Sequence, residues 1–212
     1  MIKAVIFDLG KVIVPFDFKR GYAKLEPLCG VPADEIPSRI WQTDLVQRFE
    51  RGEIEPEPFV EELAGHLAMK VEYPAFCEIW NSIFFPETLI PESMLIRLAK
   101  DYKLVLLSNT NRIHFEGIQA QYPHIGHFHE LVLSYRVGAM KPDPKIYQAA
   151  IAAAGCRPHE CFFTDDIPEY VEGARREGID AVRFQSAGQI QNESLCRGGT
   201  HTNENTGQCE VS

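Results

Sequence analysis

The chain has 212 residues, 45% hydrophobic and 24% charged, which is enough apolar material for one substantial core and a smaller satellite. Its 30 acidic and 21 basic residues give a net charge of −9. This balance argues against non-specific nucleic-acid binding, because a phosphate backbone demands basic surface. No apolar run is long enough to span a bilayer, and Lys3 and Asp8 interrupt the apolar start MIKAVIFDLG, so neither a membrane segment nor a secretory leader is expected. The six cysteines form no CxxC pair and read as reduced thiols of a cytoplasmic protein.

Residues 2–7 (IKAVIF) read as a buried strand, because the run is mostly apolar and rich in β-branched side chains. Asp8 falls at its C-terminal end, Gly10 breaks it, and residues 11–16 (KVIVPF) continue as a short extended segment. Residues 17–88 change texture. Helical patterns recur in DFKRGYAKLEPL, IPSRIWQTDLVQRFERG, PEPFVEELAGHLAMK and YPAFCEIWNSIF, separated by prolines and by Gly30 and Gly52. This predicts an all-helical insertion of about four helices.

From residue 89 to about 190 helix and strand alternate. The predicted strands are KLVLLSN, HELVLS, ECFFTDD and DAVRF; the predicted helices are ESMLIRLAKD, NRIHFEGIQAQY, DPKIYQAAIAAAG and PEYVEGARREG. Such alternation implies a doubly wound α/β fold: a parallel sheet with helices on both faces, which residues 1–16 join across the insertion. Residues 191–212 are polar and without periodicity, and read as a flexible tail.

In open parallel sheets, ligands bind beyond the carboxyl ends of the strands. That edge collects Asp8 after the first strand, Ser108 and Asn109 after the second, and Asp165 and Asp166 after ECFFT. Lys141, just before a proline-started helix, can join them. Each signal alone is commonly a turn or a cap; their conjunction at one edge is what points to chemistry. Carboxylates sharing a crevice repel one another unless a cation is present, and a hard divalent ion such as magnesium takes oxygen ligands of this kind. An aspartate can then carry a phosphoryl group while lysine and hydroxyl donors stabilise the equatorial oxygens.

These residues resemble the haloacid dehalogenase superfamily motif for motif. Phe7-Asp8-Leu9-Gly10-Lys11-Val12 is similar to its nucleophile motif, and Leu107-Ser108-Asn109-Thr110-Asn111 to its second motif. Met140-Lys141-Pro142-Asp143-Pro144 resembles the lysine motif, and Phe163-Thr164-Asp165-Asp166 with Val171-Glu172-Gly173-Ala174 the acidic one. The likeness covers residues 1 to about 186, with residues 17–88 in the place of the family's cap. FDLGKVIV, FERGEIEPEPF, LSNTNRIH and GAMKPDPKIY resemble a bacterial branch that includes an alpha-glucose-1-phosphate phosphatase.

The resemblance implies a magnesium-dependent phosphatase acting on a sugar phosphate or similar small phosphate ester. Asp8 would be the nucleophile. Ser108, Asn109, Lys141 and Gly10 would bind the phosphate. Asp8, the Gly10 carbonyl and Asp166 would ligate magnesium, with Asp165 acting through a water; the adjacent aspartates could exchange these roles. Three positions depart from the pattern. Gly10 stands where the family usually has a second, proton-shuttling aspartate, Lys11 replaces a glycine, and Tyr170 an Asn or Asp. Gly10 leaves two alternatives: a 2-haloacid dehalogenase, which the acidic pair argues against, and a catalytically weak or inactive binding protein. Trp41, Arg48, Phe49 and Trp80 are candidates for the pocket wall, unranked by the sequence. His124, His127 and His129 have suggestive spacing, but a solvated loop is the preferred reading over zinc.

Overall fold

The computed structural model describes residues 1–198. Strand β1, Ala4–Phe7, is buried along its whole length, as a strand between two helical layers must be. It sits at the centre of a five-stranded parallel sheet with β2 (Lys103–Ser108), β3 (Glu130–Leu133), β4 (Cys161–Asp165) and β5 (Asp180–Arg183), in the order β3-β2-β1-β4-β5. The doubly wound reading holds, and the order reverses at β1, which brings the ends of β1, β2 and β4 together.

Between β1 and β2 come α1 (Phe18–Cys29), α2 (Ile36–Trp41), α3 (Leu45–Glu50), α4 (Pro56–His66) and α5 (Tyr73–Asn81). One long helix was expected over residues 36–52. Two short ones form, because the Thr43 hydroxyl donates to the Ile40 carbonyl at 2.8 Å and takes the place of a continuing helical bond. These helices enclose their own apolar cluster, in which the Phe49 ring stacks on Phe59 at 4.1 Å.

The remaining helices are α6 (Glu92–Leu98), α7 (Arg112–Gln121), α8 (Ser134–Val137), α9 (Pro144–Ala154), α10 (Pro168–Arg176) and α11 (Ala187–Gly198). Strand alternation sorts the sheet's side chains into two cores. Val5, Phe7, Leu104 and Leu106 pack with α6 and α7; Ala4, Ile6, Val105 and Leu107 pack with α9 and α10.

Two expectations need correction. Residues 11–13 are not extended but form a turn, with the Ile13 and Val14 N–H groups both donating to Leu9 O at 2.9 Å. Helix α11 carries the fold past the expected start of the tail at residue 191. Ile190 is fully buried, and Arg197 pairs with Asp180 at 2.5 Å and lies over the Phe162 ring. Residues 199–212 of the expected tail lie outside the described residues.

Candidate active site

The turn after β1 holds Asp8 at the sheet edge. Asp8 N–H donates to Thr164 O of the neighbouring strand at 3.0 Å, so the two strand ends are in register where the carboxylates emerge. Gly10 follows. A β-carbon there would lie 2.7 Å from the Phe16 ring, so a side chain at position 10 requires that ring to shift. Lys11 takes a left-handed φ of 57°, which costs a non-glycine residue energy and explains why glycine would be the easier choice.

Lys141 links the carboxylates. Its Nζ donates to Asp8 Oδ1 and to Asp165 Oδ2, both at 2.6 Å, and all three residues are buried. Asp165 Oδ1 accepts from the Ile167 N–H at 2.9 Å, so both of its oxygens are engaged. Asp166 is half-buried, and one carboxylate oxygen from each of Asp8, Asp165 and Asp166 falls within 4.8 Å of the others. This donor set, three carboxylates against one ammonium, fits a hard divalent cation.

Electrostatics follow from burial. Desolvation, with the neighbouring Asp165 charge, pushes the Asp8 carboxyl up to about 7 against the pull of Lys141. Burial works to lower the Lys141 pKa, but the Asp8 and Asp165 charges outweigh it and hold it above the usual lysine range. Asp166 is raised by burial and by Asp165.

Asn109 clamps the lysine loop. Its Oδ1 accepts from Lys141 N–H at 2.7 Å and its Nδ2 donates to Lys141 O at 3.0 Å. Its Nδ2 also lies 3.5 Å from the Tyr170 hydroxyl, so its partners among the described residues are the Lys141 backbone and Tyr170. Ser108 is buried at the end of β2, its hydroxyl only 3.4 Å from Asn109 O. Tyr170 lies under Lys141, whose Nζ is 5.1 Å from the ring centroid. The adjacent α10 can approach only because Gly173 has no β-carbon, which would sit 2.6 Å from the Tyr147 hydroxyl.

Helices α1, α2, α3 and α5 face this edge across a cavity of about 520 Å³. Asp8, Lys11, Asn109, Lys141, Asp166 and Tyr170 line one side; Trp41 and Trp80 line the other, whereas Phe49 and Arg48 do not. Gln47 and Glu50, which sequence reasoning missed, also line it. The available signal was two polar side chains three apart in a helix whose Leu45 and Phe49 are buried.

The insertion is docked on the core at several points. The His114 Nε2 lies 3.1 Å from Trp80 O and its Nδ1 3.1 Å from Asn111 Nδ2, so the neutral ring accepts from Asn111 and donates to Trp80. Burial, partly opposed by the Trp80 bond, lowers its pKa to about 4. Gly52, at φ 71°, presses against Tyr135 O, 2.0 Å from where a β-carbon would stand.

The histidines of the PHIGHFHE stretch are separately engaged. His124 Nε2 is 3.1 Å from the Thr88 hydroxyl, His127 pairs with Glu92 at 2.8 Å, and His129 Nδ1 accepts from Leu104 N–H. They join no metal-ligand group among the described residues, although residues Pro123–His127 form a 3-10 helix rather than a loop. Cys29, Cys77, Cys156 and Cys161 are free thiols.

A family model of haloacid dehalogenase-like hydrolases matches residues 2–178. A phosphatase of Mycobacterium tuberculosis is 29% identical over 205 residues, covering 90% of each chain. The D-ribitol-5-phosphate phosphatase of Bacteroides thetaiotaomicron is 26% identical, over 91% of this chain and 97% of that one. Among solved structures, a HAD family enzyme of Bacteroides thetaiotaomicron in complex with magnesium and inorganic phosphate superposes with a TM-score of 0.78 at 27% identity, over 88% of this chain and 96% of that one. No helix among the described residues is long and apolar enough to cross a membrane.

Proposed function

The chain belongs to the haloacid dehalogenase-like hydrolase family, and on that premise we propose that it is a magnesium-dependent phosphomonoesterase that carries the phosphoryl group on Asp8. What carries the reading is the convergence of Asp8, Asp165 and Asp166 at the ends of β1 and β4, with the Lys141 ammonium bonding the first two. The substrate is a small phosphorylated metabolite. Sugar phosphates head the panel of esters to test, given the branch resemblance and the activity that the Bacteroides relative's name describes.

Asp8, Asp166 and the Gly10 carbonyl would hold magnesium, which supplies the positive charge that lets an anionic carboxylate approach an anionic phosphate. The engagement of both Asp165 oxygens by Lys141 and Ile167 supports Asp166 as the direct ligand of the pair. The Asp8 carboxylate oxygen attacks phosphorus, the ester P–O bond breaks, and the electron pair leaves with the alcohol oxygen. That oxygen takes its proton from water or from the substrate, because Gly10 has no acid to give. Lys141 and the Ser108 hydroxyl stabilise charge on the equatorial oxygens, and Asn109 fixes the Lys141 backbone. Water then attacks phosphorus of the aspartyl-phosphate, releasing inorganic phosphate and restoring the carboxylate. The helices α1–α5 act as a cap that excludes bulk water and selects the leaving group.

Halide displacement from carbon gives Asp166 nothing to do, so the dehalogenase alternative is not favoured. Phosphate release from a panel of esters, with magnesium and with chelator, tests the assignment. Asp8→Asn is expected to lower kcat by about 10⁴-fold or more with the near-ultraviolet circular dichroism unchanged. Turnover that survives this substitution removes Asp8 as the nucleophile.

A further inference from the structure

The cap side of the cavity carries polarity that the rest of the molecule does not satisfy. Gln47 and Glu50 stand three residues apart on α3, so both project from one face of that helix into the cavity. Gln47 Oε1 is buried without a hydrogen-bond partner. The Glu50 carboxyl has no ion pair among the described residues. Arg48 turns instead to Glu62, and Arg51 to Glu53 at 2.6 Å. Lys11, which lines the opposite side, lies over the Phe16 ring at 5.1 Å.

Desolvation alone pushes the Glu50 carboxyl up to about 7, with no cation pulling it down. Phe18, Tyr22, Trp41 and Trp80 line the same side of the cavity, among the aliphatic side chains of Leu25, Ile40 and Val46. A half-buried pair of acceptors in a cavity that aromatic side chains also line suits a cation, which the carboxylate attracts directly and the rings favour through their negative faces. A neutral hydroxyl would satisfy Gln47 and leave the Glu50 carboxyl holding its proton, whereas a cation draws that proton off and pairs with the carboxylate.

Resting on the phosphatase reading above, we propose that this wall is the leaving-group subsite and takes a phosphate ester whose leaving group carries a positively charged amine. Lys141 anchors the phosphate end, and the ammonium faces Glu50 and Gln47 across the cavity. Amino sugars and amino alcohols share this chemistry.

Matched esters separate the two sources. Glucosamine 6-phosphate is compared with glucose 6-phosphate, and choline phosphate with its neutral carbon isostere 3,3-dimethylbutyl phosphate. The amine member of at least one pair is expected to be preferred by about tenfold in kcat/KM, chiefly through KM. The pair that shows the preference identifies the source. In Glu50→Gln the ratio should fall close to one.

Equal turnover within both pairs overturns the proposal, as does a ratio that survives Glu50→Gln. A variant that loses kcat on both members while keeping their ratio also overturns it, by assigning the carboxyl to proton transfer. If no ester of any kind is hydrolysed, the phosphatase reading fails by itself, and calorimetry still judges the subsite. 2-Aminoethylphosphonate should then bind about tenfold tighter than propylphosphonate, an advantage lost in Glu50→Gln; equal affinities refute it.

Discussion

On the floor of the cavity charge is met by charge: Lys141 bonds Asp8 and Asp165, Asn109 clamps Lys141, and the Ile167 N–H holds Asp165. Among the described residues, Gln47 Oε1 and Trp80 Nε1 on the opposite wall are buried without hydrogen-bond partners, and the Glu50 carboxyl has no ion pair. On the proposed mechanism these bonds would hold the floor ready before a substrate arrives, as electrostatic stabilisation of a transition state requires. On the subsite proposed above the wall would be completed by a ligand, and unmatched polar groups of this kind reject ligands that cannot match them.

The sharpest way to break this comparison is to unmatch the floor. Lys141→Met leaves Asp8 and Asp165 buried without their shared ammonium. Stability in urea should fall by about 3 to 5 kcal/mol, and turnover should fall to background. Added magnesium should restore part of the stability and none of the turnover. A fully stable Lys141→Met would show that the carboxylates do not depend on that cation.

The seam between floor and wall gives the next effect. Gly52→Ala must keep a left-handed φ and place a methyl against Tyr135 O, 2.0 Å away. A loss of about 3 kcal/mol is expected by chemical denaturation. Unchanged stability would mean that the contact between the end of α3 and α8 can open without cost.

The last effect is a pH slope, and it separates the seam from the floor by sign. His114 has its pKa lowered to about 4 in the folded protein, so the unfolded chain takes up the proton first. Its contribution is whole above pH 6.5 and is lost as pH falls towards 4, by at most about 3 kcal/mol. Asp8, raised to about 7, acts in reverse: its contribution is whole below about pH 4 and is lost as pH rises through 7. Stability of His114→Phe and Asp8→Asn, measured from pH 4 to 8 without magnesium, should change slope in opposite directions relative to the parent. Parallel curves would sink this assignment of the two groups.

The strand ends were legible because a buried parallel strand must be apolar on both faces, and AVIF, KLVLLS and CFFTD each stop at a polar residue. Asp8, Ser108 and Asp165 therefore declared themselves by position, and Lys141 by the proline-started helix behind it. The insertion's helical character was equally plain from its periodicity, although the break at Thr43 depends on a side-chain hydrogen bond that no pattern announces.

What the sequence by itself determined was the alternation of strands and helices and the residues at the sheet edge, because both follow from local periodicity and the direction of the chain. Only the tertiary structure decided that the Phe16 ring stands beside Gly10, that Asn109 grips Lys141, that α11 extends past residue 191, and that Gln47 and Glu50 turn towards the carboxylates. Each of these depends on contacts between segments distant along the chain. Whether a polar side chain meets a partner, a cavity or solvent is set by what packs against it rather than by its neighbours in sequence.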